Sequence, residues 1–182
     1  MKLLILFILT IVLYHLLPEN LMFIIPSLLL FAALFFSKHK SPKKVELKAS
    51  IEVFIQVLIA IAMTWLVYRY VISSYFEKSA VAFDINKVIY LCIFVPICEE
   101  LFFRGYVWEY LEKIGKCNCV QTVFYNAVIF TAFHITLQPG IWSLLVIFPA
   151  LYFAYLRHHY GHWGYAAFAH AAFNAYWFFG NL

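Results

Sequence analysis

Charge is scarce in this 182-residue chain: Asp, Glu, Lys and Arg together make up 12% of it, against about a quarter in ordinary soluble domains. No internal repeat and no low-complexity tract is present. Four cysteines are too few and too poorly placed for a disulfide scaffold. Cys92 and Cys98 sit inside an apolar run, and Cys117 and Cys119 form a single C-x-C where a structural zinc site wants two pairs. No H-E-x-x-H pair occurs, and no serine or cysteine stands in a nucleophile context. What fills the chain instead is apolar: hydrophobic residues reach 65% and mean hydropathy is +0.86. A soluble domain of this size cannot hide so much apolar surface. These features exclude a soluble enzyme and a disordered tail, and they leave lipid as the solvent. Nucleic acid is excluded as a partner too, because the net charge of +4 resides mainly in one short stretch, Lys38 to Lys48, rather than on a basic face.

The apolar runs predict an all-α, polytopic membrane helix bundle. The expected helices are Leu3 to Leu17, Leu21 to Phe36, Ile51 to Ile72, Lys87 to Leu111, Val120 to Leu137, Ile141 to Leu156 and Trp163 to Phe179, about seven transmembrane segments in all. The first is 15 residues, about 22 Å at 1.5 Å per residue, the short limit for crossing. It lacks a small-residue cleavage site and reads as a retained helix rather than a signal peptide. A basic loop, Ser37 to Ser50, and a polar stretch, Ser73 to Asn86, divide the chain. N-terminal helices and the basic loop lie in 1–86, and a four-helix core lies in 87–182. With the basic loop in the cytoplasm, nine of the thirteen Lys/Arg fall on that side: Lys2, the five lysines 38–48, Lys113, Lys116 and Arg157. Arg69, Lys78 and Lys87 fall outside, so the amino terminus is expected inside.

Each ionisable side chain inside a bilayer costs about 2.5–3.5 kcal/mol on insertion scales and needs a reason. Here they gather in the second half. The fourth span carries Glu99–Glu100 followed by Arg104. Glu100 and Arg104 are four residues apart, share a face and can pair. Glu99 is turned about 100° away and keeps no such partner, which leaves it free to exchange a proton. The fifth span carries Phe130 and His134, and the seventh His170 and Asn174, each pair one turn apart. A water between Glu99 and His134 can be deprotonated for attack on a carbonyl, with His170 and Asn174 donating to the oxyanion. Each piece alone is compatible with packing: a Glu–Arg pair or a lone histidine commonly ties membrane helices together. His158, His159 and His162 read as solvated interfacial groups, His15 as a packing residue, and Trp65, Trp108, Trp142, Trp163 and Trp177 as interfacial belts. Three polar motifs in fixed order on three apolar spans are harder to explain by packing.

That order, E-E-x-x-x-R, then F-x-x-x-H, then H-x-x-x-N, resembles the CPBP intramembrane proteases, which include the eukaryotic CAAX prenyl endopeptidase and bacterial bacteriocin-processing and immunity proteins. The resemblance covers roughly 87–182. It implies a glutamate-dependent endopeptidase within the bilayer, acting on a membrane-associated protein or peptide. Glu99 and His134 would activate water, His170 and Asn174 would hold the oxyanion, and Glu100 and Arg104 would support the site. No cofactor is expected. Zinc at Glu99, His134 and His170 is the alternative, since the family has also been described as metalloproteases.

The expected location is a bacterial inner membrane, and the expected task is processing of a precursor or a carboxyl-terminal tail. A non-catalytic immunity or scaffold protein of the same fold is the competing expectation. A proton-coupled transporter is disfavoured by the lack of an inverted repeat. The boundaries put Glu99 near mid-membrane but His134 three residues from the end of its span. Either Pro96 distorts the fourth helix or the fifth extends past Leu137.

Overall fold

The computed structural model describes residues 2–18, 21, 23–36, 44–67, 70, 83–113 and 117–180. Among the described residues every regular element is helical. In chain order they are α1 (Lys2–Leu16), α2 (Ile24–Phe36), α3 (Leu47–Val67), α4 (85–113), α5 (Cys119–Leu137), α6 (Ile141–Tyr160, broken at Val146) and α7 (Trp163–Gly180). Three of them, α3, α5 and α6, are long and apolar enough to cross a bilayer. The chain is an integral membrane protein.

Most boundaries lie within two residues of expectation, but those of three helices differ more. α2 begins at Ile24 rather than Leu21. α3 begins at Leu47, inside the expected basic loop, and the part of its predicted span beyond Val67 falls largely outside the described residues. α6 continues through Arg157, His158 and His159 to Tyr160. The Arg157 cation suits the negative end of the helix dipole, so a polar stretch that looked like a turn is the last turn of the helix. The helix then stops at Gly161, whose φ of 75° is the left-handed cap geometry that a Cβ disfavours, and whose N–H bonds the Arg157 carbonyl at 3.0 Å. Gly161→Ala is expected to cost about 1 kcal/mol and lower Tm by a few degrees in micelles. An unchanged Tm would show that this cap does not limit stability.

α4 is the axis of the bundle. α2, α5 and α7 pack around it, while α6 lies against α5 and α7. One apolar core joins Leu29, Ala32 and Ala33 of α2 to Phe102, Phe103 and Val107 of α4 and Phe130 and Phe133 of α5. A second joins Val53 and Val57 of α3 to Phe153 and Leu156 of α6 and Ala166 and Ala169 of α7. Fully buried alanines at these crossings let the backbones approach closely, which in lipid replaces the missing hydrophobic drive.

α4 is not a regular α-helix. It widens into π turns at Tyr90–Phe94 and Leu101–Val107. The first has a cause in the sequence. The Val95 N–H bonds the Tyr90 carbonyl, one residue further back than in an α-helix. In that register the donor to the Leu91 carbonyl would be residue 96, which is proline and has none. The open carbonyl is taken by Asn174 Nδ2 of α7 at 2.8 Å. In the second turn the Trp108 N–H divides between Gly105 and Phe103 and bypasses the Arg104 carbonyl. Arg157 Nε takes up the bypassed Arg104 carbonyl at 2.9 Å, and Asn126 Nδ2 adds a second hydrogen bond to the Phe103 carbonyl at 2.7 Å.

Candidate active site

The two carboxylates of α4 have different neighbours, as their 100° separation predicts. Glu100 is fully buried and paired with Arg104, whose Nη1 donates to Oε1 at 3.2 Å while Nε lies 3.0 Å from Oε2 as an ion pair without a hydrogen bond. The remaining Arg104 nitrogen, Nη2, donates to the Ala150 carbonyl of α6 at 3.0 Å. The guanidinium lies 4.3 Å from the centre of the Phe130 ring and 5.6 Å from that of Phe153. Arg104 has no exposed surface, so these contacts stand in for water around its guanidinium. Phe130 therefore has a stated job in the F-x-x-x-H pattern: its face receives Arg104, and its ring lies 4.4 Å from His134 and 5.8 Å from His170.

Glu99 has no such partner. Its Oε2 lies 4.0 Å from His134 Nε2 and 3.9 Å from His170 Nε2, and makes no direct hydrogen bond. The tautomers follow from the other ring nitrogens. His134 Nδ1 is 3.0 Å from the Phe130 carbonyl, which only accepts, so Nδ1 carries the proton. His170 Nδ1 is 2.9 Å from Glu100 Oε1, already paired with Arg104, and donates to it. In their neutral forms both imidazoles turn a lone pair at Nε2 toward one carboxylate oxygen. Two hydrogen bonds of about 2.8 Å meeting at one water at 90–105° span about 4.0–4.4 Å, so the observed gaps have the size of a shared water.

A cavity of about 480 Å³ opens at this point. Glu99, His134, His170 and Asn174 line it together with Tyr90, Leu91, Val95, Trp177 and Phe178. The wall includes Tyr14, Ile25 and Pro26 of α1 and α2. All six residues singled out by the motifs thus fall in one connected group: Glu99, His134, His170 and Asn174 at the cavity, Glu100 and Arg104 behind it. Asn174 spends one amide hydrogen on the Leu91 carbonyl and retains a second. His15 ties α1 to α5 through its Nε2, 3.1 Å from the Thr136 carbonyl.

Glu99 and His134 do meet. α5 ends at Leu137, so of the two explanations for the depth mismatch the extended fifth helix is excluded, and the irregular element is α4, with its π turn just before Pro96. Trp108 is buried rather than interfacial, its Nε1 donating to Glu112 at 2.8 Å, with His158 stacked on its ring. Two residues near the site had not been singled out. Asn126 is fully buried on α5, and the spacing of Asn126, Phe130 and His134 puts all three on one face, a signal visible in the sequence. Arg157 read as a cytoplasmic loop charge because only its packed position shows what it holds.

As to a metal, the Glu99–His separations exceed the about 3.3 Å edge of a tetrahedral site with 2.0–2.1 Å bonds. Among the described residues no group of three His, Cys, Asp or Glu side chains is arranged to hold an ion.

Compared with known proteins, residues 82–176 match the family model described as type II CAAX prenyl endopeptidase Rce1-like, which covers just over half of the chain. No curated protein and no solved structure matches it.

Proposed function

Because the chain belongs to the Rce1-like type II CAAX prenyl endopeptidase family, whose members are membrane-embedded proteases, we propose that it hydrolyses a peptide bond of a membrane-associated protein or peptide by glutamate-activated water. The observation that carries this reading is the convergence of Glu99 Oε2 with two imidazole Nε2 atoms at the cavity wall.

In this mechanism a water bound between Glu99 and His134 gives its proton to Glu99 as its oxygen attacks the scissile carbonyl carbon. The tetrahedral oxygen takes hydrogen bonds from the second amide hydrogen of Asn174 and from His170, which donates through Nε2 in its protonated form while Nδ1 stays on Glu100. Glu99 then returns the proton to the leaving nitrogen, the C–N bond breaks, and a carboxylate and an amine are released. Arg104 and Phe130 hold Glu100 so that its charge remains available to His170.

We assign the protein to a bacterial plasma membrane with the amino terminus in the cytoplasm, on the weight of the Lys38–Lys48 cluster. Its task is maturation of a membrane-bound precursor or removal of a carboxyl-terminal tail. The test is cleavage of a farnesylated CAAX-type peptide, and of the same peptide without the lipid, by the full-length protein in proteoliposomes. Release of a new amino terminus from either supports the reading. Intact peptides would favour the non-catalytic immunity or scaffold role. Turnover is expected to survive prolonged dialysis against a zinc chelator, and loss of activity restored by added zinc would move the reading to a metallopeptidase with Glu99, His134 and His170 as ligands.

A further inference from the structure

We propose that Asn126 and Arg157 are positioning residues of this site: by bonding the Phe103 and Arg104 carbonyls they hold the π turn of α4 that sets Glu99 against the two histidines. The proposal rests on the peptidase reading above for its activity arm and on geometry alone for the rest.

A π turn is rarely favoured for its own sake, and it persists where something outside the helix takes up the carbonyls it leaves open. Here the two caps come from two different helices. Asn126, fully buried on α5, reaches the Phe103 carbonyl at 2.7 Å, and Arg157 on α6 reaches the Arg104 carbonyl at 2.9 Å. α6 thus grips residue 104 twice, by the Arg157 bond to its carbonyl and by the Ala150 carbonyl on its guanidinium. Without Arg157 the Arg104 carbonyl regains a partner only if the turn tightens to α geometry with Trp108 as donor. Without Asn126 the Phe103 carbonyl keeps only the Trp108 N–H, which is then free to shift to Arg104. Each residue taken out of a wide turn rotates one end of the helix against the other by about 100°. The far end is fixed, because Trp108 and Leu111 are buried. The rotation therefore falls on the Glu99–Arg104 end. Glu100 is the last residue before the wide turn, so the rotation carries Glu99 beside it away from the histidines of α5 and α7.

The experiment compares Asn126→Leu, which keeps the volume and removes the donor, with Arg157→Met, which removes the donor, and Arg157→Lys, in full-length protein in micelles. Amide hydrogen exchange over 101–108 is expected to quicken at least about tenfold in Asn126→Leu and Arg157→Met while α7 is unchanged. Turnover of the farnesylated peptide is expected to fall about ten- to a hundredfold in kcat with KM within twofold, and Arg157→Lys, which keeps a charged donor, is expected to recover most of the rate. Both caps act on one turn, so the double variant is expected to lose no more than about threefold beyond the worse single. Unchanged exchange at 101–108, full kcat in folded Asn126→Leu, or losses that multiply and track Tm would overturn the proposal. Glu99→Gln is run beside them: if it also cleaves, the peptidase reading has failed and the exchange data alone decide the clamp.

Discussion

Glu99→Gln is expected to cut peptide-bond hydrolysis at least about a thousandfold in a protein that remains folded and at least as heat-stable as the parent. Removal of a general base costs about 10²–10⁴ in rate, and here the same carboxylate also returns the proton to the leaving amine, which places the loss toward the upper end. A thousandfold is about 4 kcal/mol of transition-state stabilisation. Stability moves the other way for a physical reason. Glu99 is buried, its Oε2 has no direct hydrogen-bond partner, and the nearest imidazole nitrogens are 3.9 and 4.0 Å away. A buried carboxylate without a partner is a cost to the fold, and a neutral amide of the same shape lowers it. Initial rates with the farnesylated peptide and thermal unfolding in the same micelles check both halves. Parental turnover in the variant would remove Glu99 from the chemistry. A Tm several degrees lower would mean that the carboxylate holds the fold.

Arg104→Leu has the opposite profile, a loss of structure first. Glu100 keeps no exposed surface and would lose the guanidinium charge and its one hydrogen bond from Nη1, leaving only the His170 Nδ1–H. Breaking a buried pair from one side costs about 3–5 kcal/mol, a large part of the about 5–15 kcal/mol that holds a typical domain. The variant is therefore expected to fall severalfold in membrane abundance. Adding Glu100→Gln removes the stranded charge and is expected to restore much of the abundance, because neutralising both partners is far less costly than removing one. Activity is not expected to return, since His170 Nδ1 then loses the carboxylate that orients its ring. Immunoblots of membranes and unfolding curves in micelles read the result. A single variant as abundant and heat-stable as the parent would show that Arg104 does not stabilise the buried carboxylate.

Legibility of the site in the sequence differed by residue. The pairing of Glu100 with Arg104 and the isolation of Glu99 follow from helix spacing alone, and both hold. Spacing also put His134 and His170 on apolar spans but not at one point in space, which depends on how α5 and α7 pack on α4. The α4 boundaries were close, yet its π turns were hidden, because apolar periodicity does not record which carbonyl an N–H chooses. Pro96 announced one missing donor, but not that Asn174 of a distant helix would satisfy the orphaned carbonyl. Asn126 was open to notice as an amide inside an apolar span. Arg157 was not, since a cation at the end of a span ordinarily faces water. Of the expected helices, α1 and α2 were the least specified, yet Tyr14, Ile25 and Pro26 form part of the cavity wall.

The most direct measurement of the central claim compares the protein termini in membranes of cells carrying the parent or Glu99→Gln at equal abundance. The account predicts new amino termini, from one or a few membrane-associated proteins, that are present with the parent and absent with the variant. Identical termini in the two strains across growth conditions would contradict it and leave the chain a binding or immunity protein on a protease fold.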